Sequence, residues 1–265
     1  MSGLLRRIKD FLRPATPWPV LYVYRKFRSL PEDIPHIFSF LFRKTPSVKF
    51  FKKLWIVFKC YHISYAVDCP HTEGEMIRVM SVILASPNSP GGVIVEAGSY
   101  KGGSTAKLSI AAHLADKNLF VFDSFEGLPE NKEQHGKNIF GGDAYFPKGS
   151  YCGSLDEVKT NVSKYGNIEN CKFVKGWFED TLPLFTKPVD VAYMDVDLLS
   201  STKTCLRYLY PLLIRSGRIF SQDGHLPLII QLLDDNAFWT EIGFVKPRIK
   251  GLGRVKLVEI KKTPE

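Results

Sequence analysis

From residue 93 onward the chain alternates short β-favouring runs with helical stretches, and the runs end in acids or glycines. The runs fall at 93–97, 119–123, 172–175, 189–195 and 217–222. Helical segments near 103–115, 154–165 and 201–214 separate them, a fourth helix lies near 227–237, and two closing strands are expected near 242–247 and 254–260. Strands alternating with helices predict a doubly wound, mostly parallel sheet. In such sheets ligands bind beyond the carboxyl ends of the strands, and the polar residues gather there. Glu96 and Gly98 close the first strand and Asp123 the second. Gly176 and Trp177 follow the third, Asp195 and Asp197 the fourth, and Asp223 and His225 the fifth. Acids kept only for solubility would scatter over helix surfaces instead.

The stretch VIVEAGSYKGGSTAKLS (93–109) reads as strand, tight turn and helix. A dinucleotide site needs G-x-G-x-x-G so that a pyrophosphate can reach the helix N-terminus. Gly98, Gly102 and Gly103 lack that spacing, and Glu96 in the turn would repel a pyrophosphate. A ligand with a cationic group and no phosphate suits the turn better; S-adenosylmethionine is one. Asp123, at the end of the next strand, is where an acid accepts ribose hydroxyls. No nucleophile elbow, Ser-His-Asp arrangement or P-loop is visible, so hydrolase and kinase readings have no motif to rest on.

Five segments in order, VEAGSYKGGST, FDSFEGLPE (122–130), VKGWFEDTLP (174–183), YMDVDLLSSTKTCLRYLYPLL (193–213) and GRIFSQDGH (217–225), cover about half of the chain. Together they resemble the macrocin O-methyltransferase family of S-adenosylmethionine-dependent sugar methyltransferases. The resemblance implies a Rossmann-like class I methyltransferase fold, with a seven-stranded, mostly parallel sheet covered by helices on both faces. It implies an O-methyltransferase domain over residues 91–265 acting on a sugar hydroxyl of a glycosylated acceptor. It places Glu96 and Gly98 at the methionine end of the cofactor, Asp123 on the ribose with Ser124 beside it, and Gly176 and Trp177 along the adenine. Ser104 and Asp195 join them as cofactor contacts.

Methylating a hydroxyl requires removal of a proton whose pKa lies far above 7, either by a base or with help from a divalent cation. Acids on neighbouring strand ends suit Mg²⁺, and Asp195 and Asp223 are placed for it. The family carries two adjacent acids after the fifth strand; here the first is Gln222, expected to ligate through its neutral carbonyl. Asp197 is the expected base, with His225 as its substitute. The long loop after DSFEGLP reads as a lid, with His135 and Tyr145 over the substrate. Two other classes remain open: a Rossmann oxidoreductase on a nucleotide sugar, and a catalytically silent binding module, which only the acid missing at 222 supports.

Residues 1–90 read differently. The first sixty hold thirteen Lys or Arg against three acids, so they account for the formal charge of +9. Prolines at 14, 17, 19, 31, 35 and 46 predict short helical pieces. Basic residues interrupt every apolar run before membrane-span length, and no cleavage site follows. This basic, aromatic-rich extension suits a cap on the catalytic domain or on a second subunit, or a peripheral membrane contact; no nucleic-acid motif accompanies the charge. Five cysteines without CxxC spacing suggest reduced thiols and a cytoplasmic protein.

Overall fold

The computed structural model describes residues 18–45, 48–85 and 92–262, with side chains from Ser29 onward. Residues 1–17, the start of the basic extension with Pro14 and Pro17, and residues 86–91 lie outside the described residues. Three helices come first: α1 (Trp18–Phe42), α2 (Phe50–Ala66) and α3 (Glu73–Ala85). Then follow β1 (Val93–Ala97), α4 (Gly103–Leu114), β2 (Leu119–Asp123), α5 (Leu155–Tyr165), β3 (Cys171–Lys175), the short α6 (Phe178–Thr181), β4 (Val189–Met194) and α7 (Leu199–Leu212). The chain closes with β5 (Leu213–Ser221), α8 (Pro227–Asp234), α9 (Asn236–Glu241), β6 (Ile249–Lys250) and β7 (Val258–Lys261).

The seven strands form one sheet in the order β3-β2-β1-β4-β5-β7-β6. β3, β2, β1, β4 and β5 run parallel, β7 is antiparallel to β5, and β6 is antiparallel to β7. The central strands β1 and β4 are buried at every residue, as expected of apolar strands covered on both faces. Alternation along them divides the core in two. Ile94, Val191 and Tyr193 face one apolar layer with α3, α4 and α5, whereas Val93, Val95, Ala192 and Met194 face the layer under α7, α8 and α9.

Three expectations change. Pro31 and Pro35 lie inside α1 and do not break it. Each removes one backbone donor, and tertiary ties compensate: buried Asp33 accepts from Gly74 N (2.7 Å) and Tyr61 Oη (3.2 Å), fastening α1 to α3 and α2. The helix expected at 227–237 divides at Asp235, whose side chain caps α9 by accepting from Ala237 N (2.8 Å). The strand expected at 242–247 is absent, and only Ile249–Lys250 pairs. Gly243 takes φ +86°, and Pro247 has no N–H to give to a ladder.

Residues before β1 share the core of the sheet. Phe40, Ile56, Ile63, Met76 and Met80 belong to the same apolar layer as Ile94 and Tyr193. A capping box opens α3: Thr72 Oγ1 accepts from Glu75 N (3.2 Å) and Thr72 N donates to Glu75 Oε2 (2.8 Å).

Candidate functional site

Parallel strands that all end on one side bring their terminal residues to one rim, and a cavity of about 480 Å³ opens there. At its floor Gly98 turns out of β1 with φ +87°, where a Cβ would collide with the carbonyl oxygen of Asp195; only glycine lets the two strand ends approach so closely. Helix α4 begins at Gly103, against which Cys69 packs without room for a Cβ. Cavity-lining residues include Gly98, Ser104, Asp123, Ser124, Gly176, Trp177, Asp195, Asp197, Asp223 and His225. Ten of the twelve residues expected to bind cofactor or metal or to act in catalysis therefore meet in one place; Glu96 and Gln222 do not line it.

Asp123 is held in position. Its Oδ2 accepts from Ser99 N (2.6 Å) and Ser99 Oγ (3.0 Å), and its Oδ1 from Phe125 N (2.7 Å). Burial raises its pKa and these donors offset part of the rise. Ser124 serves the same loop, donating to Gly127 O (3.0 Å) and accepting from Glu126 N (3.1 Å). Trp177 is 37% exposed at the cavity wall rather than packed in the core. Glu96 is sealed below Ser104 and Thr105, and its oxygens make no well-formed hydrogen bond among the described residues. Burial pushes its pKa up to about 8, which the two hydroxyls only partly offset.

At the other end, carboxylate oxygens of Asp195, Asp197 and Asp223 lie within 4.8 Å of one another. Asp223 accepts from Val196 N (3.1 Å) and Asp197 N (3.2 Å), which folds the segment after β4 back over β5. Asp197 adopts φ +59°, a left-handed conformation that turns its side chain into the cluster. Burial and then the Asp195 charge raise Asp223 to about 7; burial raises Asp195, and burial with both neighbouring charges raises Asp197 well above the ordinary range. Three carboxylates this close call for protons or a cation. Lys256, which the sequence reading missed, lines the same cavity and its charge opposes the rise. His225 also lines it; burial and then Lys256 lower its pKa to about 4, and its Nδ1 has no partner among the described residues.

Gln222 departs from expectation. Its Nε2 donates to Glu75 Oε2 (2.9 Å) and its Oε1 accepts from Tyr193 Oη (3.4 Å), while the same hydroxyl also reaches Asp195 Oδ2 at 3.4 Å. The amide sits one layer behind the carboxylates, and the third member of the cluster is Asp197. The lid residues differ as well. Tyr145 is 81% exposed and His135 is buried against Glu133 and Phe146; neither lines the cavity. The loop is fastened instead by Glu133, whose oxygens accept from Leu199 N (2.5 Å) and Ser200 N (2.9 Å) at the start of α7, and by Ile139 N donating to His225 O (3.0 Å).

The connection between α2 and α3 supplies another wall through Asp68, Cys69, Pro70 and His71. Fully buried Lys107 on α4 anchors it, with Nζ 2.6 Å from Ser64 Oγ, 2.9 Å from His71 Nε2 and 3.8 Å from Glu73 Oε1. Residues 68–71, within the extension read from the sequence as a cap on the catalytic domain or on a second subunit, thus form part of the cavity wall, and no charge pattern in the sequence pointed to them.

This strand order, with the cavity at its carboxyl rim, defines a Rossmann-like class I methyltransferase fold. A solved structure described as the O-methyltransferase NovP superposes with a TM-score of 0.60 at 24% identity, covering 73% of this chain and 83% of that one. The family model for macrocin O-methyltransferase (TylF) matches residues 78–235, and the chain belongs to that family. Demethyldecarbamoylnovobiocin O-methyltransferase of Streptomyces niveus is 35% identical over 160 residues, 56% of this chain and 58% of that protein. A rhamnosyl-tetracenomycin-C 4'-O-methyltransferase of Streptomyces olivaceus is 32% identical over 146 residues, 50% of this chain and 52% of its own length. The chain thus spans little more than half the length of the curated relatives it matches.

Proposed function

We propose that the protein is an S-adenosylmethionine-dependent O-methyltransferase acting on a sugar hydroxyl of a glycosylated small molecule or glycan, with a divalent cation at Asp195, Asp197 and Asp223. The observation that carries this reading is one cavity with a fixed ribose-type acid, Asp123, on one side and three crowded carboxylates beside a histidine on the other. Both relatives are named as O-methyltransferases, and one name specifies a rhamnosyl-bearing substrate. The donor set fits a hard cation such as Mg²⁺, because all three groups offer carboxylate oxygens that lie within 4.8 Å of one another, and burial, the main cause of their raised pKa values, leaves them little water to solvate their charge.

When bound, S-adenosylmethionine supplies an electrophilic methyl group and the divalent cation supplies Lewis acidity to an alcohol oxygen. The chain's own residues do the rest. Asp123 would accept hydrogen bonds from the ribose hydroxyls, the exposed Trp177 ring would offer a face to the adenine, and the glycine at position 98 would leave room for the cofactor against the backbone. His225, neutral at pH 7, takes the hydroxyl proton; this role passes to it because Asp197 stands among the carboxylates. Glu133 and Ile139 hold the loop that shields the reaction from water. The silent-module alternative rested on the amide at 222, and with Asp197 in place the cluster still numbers three acids.

Calorimetry with S-adenosylhomocysteine tests the cofactor reading: binding is expected, NAD should not bind, and Asp123→Ala should weaken binding by about 1–3 kcal/mol. A tight NAD complex, or unchanged affinity in Asp123→Ala, would remove it.

A further inference from the structure

Helices α1 and α2 are apolar on two sides. One side enters the core through Phe40, Ile56, Cys60 and Ile63. The other is exposed. On α1, Ile34, Phe38 and Phe42 recur every four residues, and on α2, Phe51, Trp55 and Phe58 recur at spacings of four and three, so each set lies on one helix face. The rings join into one strip across the two helices: Phe38–Phe42 at 4.5 Å between centroids, Phe42–Phe50 at 5.9 Å and Phe50–Phe51 at 5.8 Å. Phe51 is 83% and Phe58 68% exposed. A contiguous apolar patch of this kind marks an interaction surface rather than the scattered leucines of an ordinary exterior.

Charge selects the occupant. Residues 38–65 contain six Lys or Arg and no acid. Arg43, Lys44, Lys49 and Lys52 are exposed around the strip, and Lys52 Nζ stands 4.0 Å from the Trp55 ring centre. A second copy docking face to face would oppose these cations with the same cations. Residues 1–17 carry four bases and one acid, so they bring no complement either. No helix among the described residues is long and apolar enough to cross a membrane. An anionic lipid surface meets both halves of the pattern, taking aromatic side chains at the headgroup–acyl boundary and cations at the phosphates. We propose that this face of α1 and α2 seats the protein on anionic membranes, lying in the interface without spanning it.

The test is sedimentation of the full chain with phosphatidylcholine vesicles, with and without phosphatidylserine. Binding is expected only with phosphatidylserine and should fall as salt rises. Phe51→Ser with Phe58→Ser should lower the partition coefficient about tenfold or more, and Lys49→Glu with Lys52→Glu by a similar factor. Both pairs are exposed, so melting temperature and S-adenosylhomocysteine binding should stay at the parental values. Failure of the parent chain to sediment with the mixed vesicles at low salt would overturn the proposal. So would full binding by the phenylalanine variant, which would assign attachment to another basic segment. A concentration-dependent dimer that the same substitutions dissolve, in a chain that ignores vesicles, would give the face to a second copy.

Discussion

Replacing Gln222 by glutamate keeps the side chain's shape and exchanges a donor for a second carboxylate 2.9 Å from Glu75 Oε2. The hydrogen bond lost is one to a charged acceptor, about 1.5–3 kcal/mol. Repulsion at that distance, with an effective dielectric of about 20, comes to about 6 kcal/mol. The site escapes the full cost by taking up a proton. Holding one carboxylate of ordinary pKa near 4.3 protonated at pH 7 costs about 3.7 kcal/mol, and the neutral acid then donates to Glu75 as the amide did. The penalty at pH 7 is therefore capped near 4 kcal/mol, and the partial exposure of Glu75 brings it to roughly 2–4 kcal/mol. Its sign follows from proton binding: the native pair holds a proton that the unfolded chain has released, so the deficit is small near pH 4.5 and grows as pH rises. At about 2–4 °C per kcal/mol for a chain of this size, the variant should melt roughly 5–15 °C below the parent at pH 7 and close to it near pH 4.5. Exchanging the pair, Gln222→Glu with Glu75→Gln, should recover most of the loss, since glutamine also serves a capping box. Equal melting temperatures at pH 7, or no recovery in the exchanged pair, would refute the reasoning. The same geometry denies Gln222→Asp a gain in metal affinity, because the side chain faces Glu75 and Tyr193 rather than the three carboxylates.

Glu96 carries a pKa raised to about 8, so the cofactor-free protein should lose stability as pH rises from about 4.5 to 8. Glu96→Gln should flatten that interval and melt higher than the parent at pH 8; a lower melting temperature there would contradict the assignment. Mg²⁺ should raise the melting temperature of the parent at pH 8, where the carboxylate cluster is most charged, and Asp197→Asn should remove the shift; an undiminished shift would put the ion elsewhere. Glu133→Ala removes two acceptors from the start of α7 and should cost about 1–2 kcal/mol in denaturant unfolding. A variant as stable as the parent would show that the loop is held by other contacts.

Local patterns in the sequence carried the sheet. Runs such as Val93–Ala97 and Val189–Met194 are apolar at every position but one, Glu96 and Asp190 respectively, without a period-two alternation, because both faces of a central strand are buried, and that property is written residue by residue. The rim was legible for the same reason: a parallel sheet sends every strand's carboxyl end to one side, so Asp123, Asp195 and Asp223 converge whatever the helices do. What tertiary structure alone decided lies in the side chains' second neighbours. Asp197 joins the carboxylates because Asp223 accepts its backbone N–H and holds it in a left-handed conformation, which sequence spacing does not encode. Gln222 turns from the cluster because Glu75, 147 positions away, offers a charged acceptor. Pro31 and Pro35 stay helical because Asp33 pins α1 to α2 and α3, a long-range gain that outweighs two missing donors. Residues 68–71 reach the cavity because buried Lys107 draws them in. Each of these depends on contacts between distant segments, whose energies exceed the local preferences that a sequence displays.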